Sequence, residues 1–394
     1  MKRVLIIGAS ILQLPAIKKA KELGYYVGVV DYNPNAVGIS YADEFFNVST
    51  IDAEKVTEVA IRFHADGVMT LATDMPMRSV AKATSACHIS GITEETAFKA
   101  TDKGAMIKAF QENNVEHPWY FLIKNKDVFE KLKDKITYPC IMKPTDNAGS
   151  RGVVLVQTLS ELEANYIYTV NESRCGEILI EEYMQGAEVS VEVMVMDGEP
   201  YVLQVTDKIT TGAPHFVEMG HTQPSRLNPK DVEKISDLAK RAVKAVGIHC
   251  GPAHIEIILT KDGPKMVELG ARMGGDCITT HLVPLSTGID MVKNTIEIAC
   301  GIKTDIEPKF AKGSAIRYFK TEKGVIKNIT GIEEVKSISG VKEVSFVKNI
   351  GDRVGNIDSS VDRVGFVIAQ GNTADEAEKI CERAISLIKI EIGE

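Results

Sequence analysis

Two apolar runs, AHIEIIL (253–259) and KMVELGA (265–271), flank the segment TKDG, and each carries a glutamate near its middle. Runs of this kind read as buried strands, and the short polar segment between them reads as a tight turn. A hairpin is the most constraining feature a chain can show, because the turn sets the register and the register decides which side chains share a face. With Lys261-Asp262-Gly263 as a three-residue loop and Gly263 in the left-handed conformation, Thr260 pairs with Pro264 and Glu256 faces Glu268. Two carboxylates then sit ~5 Å apart at their Cβ atoms. At an effective dielectric of ~20 they repel by roughly 3 kcal/mol. A raised pKa, a different register or a bound cation would each relieve this. Period-two alternation places His254, Glu256, Met266, Glu268 and Gly270 on one face, with Arg272 and the Gly274-Gly275 pair following at once. Carboxylates, an arginine and bare backbone at one strand end suit a metal and a phosphate. The competing reading is a pair of partly solvated sheet glutamates beside an unrelated arginine.

The rest of the chain bounds what such a site can serve. At 394 residues it exceeds one simple core, and ~2–3 domains are expected. It is 44% hydrophobic and 25% charged, as in soluble globular proteins. A formal net charge of -8 without a Lys/Arg-rich block argues against nucleic acid as a partner. No apolar run approaches the ~20 residues of a membrane span, so no membrane partner is expected. The opening MKRVLIIGASILQLPA mimics a targeting segment, but Gln13 and Pro15 interrupt it and a helix and strand follow, so it reads as a folded β-turn-α unit. The seven cysteines are scattered and show no CxxC spacing, which fits a reducing cytoplasm and argues against a zinc site.

The first hundred or so residues alternate strand and helix: RVLIIGA, PAIKKAKELG, YVGVVDY, GVMTLAT and MRSVAKATSA. This pattern predicts a parallel, doubly wound α/β sheet. Gly8 ends the first strand and Asp31 the second, as at a dinucleotide site. GASILQLP lacks the full G-x-G-x-x-G, however, and a tight strand-to-helix turn in a nucleotide-free layer is the simpler reading. A helix is expected to open at Thr101 and lead to Pro118. Strands follow in YPCIMKP, GVVLVQT, EILIEEYM and EVSVEVMVMDGEPYVLQV, then the helix PKDVEKISDLAKRAVKAVG before the hairpin and DMVKNTIEIACG after it. Beyond about residue 310 strands return, and TADEAEKICERAISLIK closes the chain as an amphipathic helix.

IMKPTDNAGSRGV ends an apolar strand with Lys143 and continues into a polar, glycine-containing loop. Backbone N–H groups around Gly149 and Gly152, the Ser150 hydroxyl and the Arg151 cation could fold over a triphosphate. A lysine in so apolar a strand is costly unless an anion meets it. A hairpin loop with a snorkelling lysine is the plainer alternative. ILIEEYMQGAEVSVE adds Glu181, Glu182 and Glu188 around a strand and glycine turn, where a backbone edge could read an adenine and an acid could hold ribose hydroxyls.

In order along the chain, a Rossmann-like domain, TDK, IMKP with a glycine loop, EEYMQGAE and HIEI…MVELGAR strongly resemble the ATP-grasp superfamily of carboxylate–amine ligases. ELGAR, with GPAHIE before it and DRVGFVIAQG near the C-terminus, is most similar to the L-amino-acid ligase branch, which includes dipeptide synthetases and carnosine-synthase-like enzymes. The resemblance implies an α/β and α+β three-part architecture: a Rossmann-like domain over 1–112, an ATP-grasp domain over 113–310 with a lid subdomain at about 118–185, and a small C-terminal α/β domain over 311–394. It implies ATP and Mg2+ (or Mn2+) as cofactors. Lys103 and Lys143 would contact ATP phosphates, GSRG (Gly149, Ser150, Arg151, Gly152) would form the phosphate lid, Glu181, Glu182 and Met184 would line the adenine, and Glu188 would bind ribose. Glu256 and Glu268 match magnesium ligands, and Arg272 matches the arginine that steadies the transferred phosphate. Many members carry Asn where this chain has Gly270, which puts a second magnesium in doubt.

PHFVEMGHTQPSRL resembles the acceptor-lining segment of that branch and offers His215, Glu218, His221 and Arg226. Glu218 would receive an amino group and His221 would sit beside the reacting centre. After Arg272, Gly274, Gly275 and His281 would bind an amino-acid carboxylate. The implied partners are a small-molecule carboxylate and an amine, with a homodimer as the expected assembly and the cytoplasm as the expected location. Two other readings stand beside this one. The first is an ATP-grasp enzyme of biotin-carboxylase, carbamoyl-phosphate or purine-pathway type. The second is a nicotinamide-dependent oxidoreductase built on Gly8 and Asp31.

Overall fold

The computed structural model describes residues 1–147, 149, 151–213 and 216–393. The N-terminal sheet is parallel throughout, in the order Glu44–Asn47, Tyr26–Asp31, Arg3–Ile7 and Gly67–Met69. Its central strand shows why RVLII has no polar alternation. Leu5 and Ile7 enter one core while Val4 and Ile6 enter another, all fully buried. A parallel sheet covered on both faces requires such a run.

The main sheet has eight strands, all antiparallel to their neighbours, beginning with the hairpin Gly263–Gly270 and Gly251–Thr260. It continues through Ala187–Met196, Glu199–Thr210 and Glu218–Gln223. Its last three strands, Gly313–Tyr318, Gly365–Gly371 and Val341–Phe346, come from the C-terminal quarter of the chain. That region therefore extends the sheet that carries the hairpin. A separate four-stranded antiparallel sheet, ordered Tyr120–Ile123, Ile178–Glu182, Cys140–Pro144 and Val154–Val156, has its own small core around Phe129 and Tyr166.

The helix Pro229–Val246 shows how sequence pattern becomes packing. Asn228 caps it by accepting from the Asp231 N–H, Pro229 occupies the first turn, and Gly247 ends it in the left-handed region. Ile235, Leu238, Ala239, Ala242, Val243 and Val246 recur at helical spacing and are buried in the core behind the main sheet. Truncating one of the larger ones, such as Leu238→Ala, would cost about 2–5 kcal/mol.

Two local expectations are corrected. The helix over Glu94–Thr101 ends at Thr101, and the next helix, Lys103–Glu112, is capped by Asp102, whose carboxylate accepts from the Ala105 N–H at 2.8 Å. Lys103 is thus the first residue of a helix. The hairpin turn is also one residue shorter than expected, since Thr260 pairs with Gly263 and Leu259 with Pro264. A bulge between Glu256 and Ile257 then takes up the difference, so Glu256 still faces Glu268. The same bulge moves Met266 opposite Ile257, and both lie in the apolar core behind the sheet. Met266 therefore does not share the carboxylate face. Among the described residues, no helix is long and apolar enough to cross a membrane.

Candidate active site

Glu256 and Glu268 point into a cleft that Asp74, Lys103, His254 and Arg272 also line. Each carboxylate meets a lysine. Lys103 Nζ lies 3.0 Å from Glu268 Oε2 and also donates to the carbonyl of Asn147 at 2.9 Å. Lys208 Nζ lies 3.3 Å from Glu256 Oε1. The expected repulsion is thus answered by ammonium groups. Burial opposes ionisation of Glu256, but Lys208 and His254 outweigh it and hold its carboxyl well below the usual range.

Arg272 is anchored from the N-terminal region. Its Nε and Nη2 donate to the two oxygens of Asp74 at 2.8 and 2.9 Å, a bidentate pair. Burial alone would raise the Asp74 carboxyl, and Arg272 pulls it below its ordinary value. Gly270 makes this possible. A Cβ there would stand 2.6 Å from Asp74 Oδ1 and 3.1 Å from Arg272 Nε. The space that an asparagine side chain would take at this position is filled by Asp74.

Beneath the cleft, His254 Nδ1 meets Glu192 Oε1 at 2.6 Å, and its Nε2 stands 3.7 Å from Glu256. Burial lowers the imidazole pKa, but Glu192 overrides this and His254 is raised to about 9. Gly274 packs against this ring, since a Cβ would fall 2.6 Å from His254 Nδ1. Gly275 faces open space.

Of the residues expected to face a nucleotide, Lys143, Glu181 and Glu182 lie on the antiparallel pair Cys140–Pro144 and Ile178–Glu182. Lys143 Nζ bonds Glu181 Oε1 at 2.5 Å with both side chains buried, and Glu181 Oε2 has no hydrogen-bond partner among the described residues. Desolvation raises the Glu181 carboxyl despite Lys143. Glu182 pairs with Lys265 of the hairpin at 2.8 Å, and Met184 is buried. Gly149 and Gly152 adopt positive φ of 67° and 75°, and Arg151 between them is exposed. Ser150 and His215 lie outside the described residues.

Of the residues expected to line an acceptor, Glu218 and His221 stand on the strand Glu218–Gln223. Lys208 gathers Glu188 at 2.7 Å, Glu218 at 3.4 Å and Glu256 around one ammonium. Glu188, read as a ribose ligand, is thus engaged with Lys208, and its burial raises its carboxyl pKa. His221 Nε2 lies 3.4 Å from Asp276, whose two oxygens accept from Arg363 at 2.7 Å each. Arg363 also donates to the Glu218 carbonyl and stacks on the Tyr318 ring at 3.8 Å. Arg226 is drawn away to Asp207 and Glu378. His281 is half-exposed and pairs with Glu343 at 3.3 Å, so it is not brought together with the cleft residues.

Sequence reasoning missed Asp74, Glu192, Lys208, Asp276 and Arg363. Glu192 carried the same signal as Glu256, an acid inside the apolar run EVSVEVMV. The others arrive from distant segments with no local mark.

At the N-terminal turn, Asp31 accepts the Ala9 N–H at 2.7 Å and the Asn33 N–H at 2.9 Å. The Gln13 side chain covers Gly8, where a Cβ would meet it at 2.8 Å, and donates to the Leu71 carbonyl. Gly8 and Asp31 are thus engaged with groups of their own turn, which gives the oxidoreductase reading no support here.

Oxygen-only donors suit a hard divalent cation. Among the described residues no three His, Cys, Asp or Glu side chains form a metal cage. Two facing carboxylates fit a cation such as Mg2+ that keeps waters and phosphate oxygens for its remaining positions.

The fold and cleft are consistent with an ATP-grasp domain, and comparison with known proteins agrees. Residues 136–280 match the ATP-grasp domain family, and residues 317–393 match the L-amino acid ligase C-terminal domain 2. The chain thus carries an ATP-grasp domain over residues 136–280 and an L-amino acid ligase C-terminal domain over residues 317–393. It is similar to an uncharacterized protein, y4rH, of Sinorhizobium fredii (25% identical over 306 residues, 76% of this chain). It is also similar to the alanine–anticapsin ligase of Bacillus subtilis (26% identical over 321 residues, 74% of this chain). These matches span 63% and 66% of the two relatives' own lengths. The crystal structure of an L-amino acid ligase from Bacillus licheniformis has the same fold, with a TM-score of 0.85 over 100% of this chain and 99% of that one at 24% identity.

Proposed function

We propose that the protein is an ADP-forming carboxylate–amine ligase that makes an amide or peptide bond through an acyl-phosphate, with an amino acid as a substrate. The observation that carries the reading is the facing pair Glu256 and Glu268, set in one cleft with Lys103 and Arg272. The L-amino acid ligase domain over 317–393, which supplies the strands Val341–Phe346 and Gly365–Gly371 to the same sheet, supports an amino acid over a purine precursor or bicarbonate.

Glu256 and Glu268 would hold a divalent cation, which when bound supplies positive charge against the β- and γ-phosphate oxygens. Lys103 and Lys143 would turn from Glu268 and Glu181 to the phosphates, giving fixed donors where charge develops. The substrate carboxylate attacks the γ-phosphorus, ADP leaves, and Arg272, held by Asp74, steadies the phosphoryl group. The amine nitrogen then attacks the acyl carbon, inorganic phosphate leaves with the acyl C–O bonding pair, and the amine loses a proton.

The test is ADP release screened across amino-acid pairs, with mass detection of product and hydroxylamine present to trap the acyl-phosphate as a hydroxamate. ADP, amide and hydroxamate together support the reading. Amide formed with AMP and pyrophosphate would replace it with adenylation. ADP formation with no hydroxamate from any amino acid would keep the ligase chemistry and remove the amino-acid substrate.

A further inference from the structure

Lys208 lies in the strand Glu199–Thr210 with only 6% of its side chain exposed, and its ammonium reaches three carboxylates from three other strands or strand ends. Glu188 comes from Ala187–Met196, Glu218 from Glu218–Gln223 and Glu256 from Gly251–Thr260. An ammonium has three donors and no acceptor, and here it donates to Glu188 and Glu256 while Glu218 stands within ion-pair distance. The ammonium alone does not balance three carboxylates, and His254 adds a second positive partner only at Glu256. Burial alone would discharge the lysine, and the surrounding acids instead raise its pKa well above the ordinary value.

We propose that Lys208 is the resident counter-ion of Glu256, a positioning residue that competes there with a divalent cation and is held within reach by Glu188 and Glu218. The inference rests on reading Glu256 as a cation ligand. When a cation takes Glu256, the ammonium keeps two partners and does not become a buried unpaired charge. Its retreat toward Glu218 alters the acid proposed to face the amine, so loading of one side of the cleft is felt on the other. Glu268 differs, since its counter-ion Lys103 begins a helix and is itself a phosphate candidate.

Competition gives a sign that structural damage would not. In the full-length, ligand-free protein, Mn2+ binding is followed by loss of the free-ion electron paramagnetic resonance signal. Lys208→Met removes the competitor, and the Mn2+ dissociation constant should fall by about tenfold or more, whereas Lys208→Arg should stay within about threefold of wild type. Glu218→Gln leaves the ammonium fewer partners, concentrates it on Glu256, and should weaken Mn2+ binding by about threefold. The Glu218 variant decides the matter should the methionine variant fail to fold. Unchanged or weaker Mn2+ binding in folded Lys208→Met, or unchanged or tighter binding in Glu218→Gln, overturns the inference and leaves the ligase reading standing. No Mn2+ binding to the wild type, with or without ATP, overturns both.

Discussion

Asp31 and Glu256 are both acids on apolar strands, and they are held by different kinds of partner. Asp31 is clamped by backbone N–H groups of its own neighbourhood, at Ala9 and Asn33, and Gln13 seals the turn above it. Glu256, like Glu268, is satisfied by lysine ammonium groups on long, flexible stems. Backbone donors cannot leave without unfolding the turn, whereas a lysine head can move several ångströms while its stem stays packed. An acid on an apolar strand becomes a candidate site when its partner is displaceable.

The sharpest way to break the comparison is to neutralise one acid of each kind. Glu268→Gln should leave the fold intact and lower ATP turnover by at least ~10²-fold, the scale on which one charge-stabilising group acts. Near wild-type ADP release at saturating magnesium would remove Glu268 from the site. Arg272→Lys keeps a cation near Asp74 but loses the two-pronged geometry. It should cost about two decades in rate, or ~2.7 kcal/mol, with hydroxamate and ADP falling together. ADP formation that persists while hydroxamate vanishes would place Arg272 on the acyl group alone.

Asp31→Asn should behave in the opposite way. An amide offers one acceptor oxygen where two were used, so one backbone donor loses its partner at a cost of about 1–3 kcal/mol. Thermal unfolding should show the loss, while turnover per folded molecule stays unchanged and no nicotinamide cofactor binds. A folded variant that had lost turnover would show that the clamped acid also serves the chemistry.

The hairpin teaches how such a site is read from sequence. Glu256 faced Glu268 in the sequence-based register, but through a turn one residue too long and without the bulge that compensates for it. Period-two alternation fixes faces only while the ladder is regular, which is why Met266 was assigned to the carboxylate face and lies in the core behind it. Lys103, Lys143 and Arg272 were legible because each stands beside a glycine turn, a helix start or an apolar strand that makes its charge conspicuous. Lys208 and Asp74 were not, because a lysine within an alternating strand and an aspartate in a loop are ordinary until distant segments converge on them. The strands Gly313–Tyr318 and Gly365–Gly371 were legible as strands and Val341–Phe346 was not, and their union with the hairpin sheet is a long-range pairing that leaves no trace in local pattern.

Asp276 sharpens the comparison with a smaller effect, because it stands between the two kinds of acid. Its partner Arg363 is a side chain, like Lys208, but a rigid one that grips both oxygens and is itself bonded to the Glu218 and Ser360 carbonyls. Burial would push the Asp276 carboxyl up, but Arg363 and then His221 outweigh it, and the folded value lies well below the ordinary one. For an acid whose pKa is depressed on folding, the contribution to stability is present above the unfolded pKa of ~3.9 and is lost as pH falls toward the folded value. At pH 3 the unfolded carboxyl is mostly protonated, and about 1 kcal/mol of the contribution should be gone. Asp276→Asn has no carboxylate to protonate. The stability gap between wild type and variant, measured by denaturant titration, should therefore be constant from pH 7 to 5 and narrow by about 1 kcal/mol at pH 3. A gap that holds constant to pH 3 would mean that Arg363 does not depress this carboxyl, and that Asp276 is displaceable like Glu256. A gap that narrows as expected places Asp276 with Asp31 as a clamp, here tying the C-terminal region to the strand that carries Glu218 and His221.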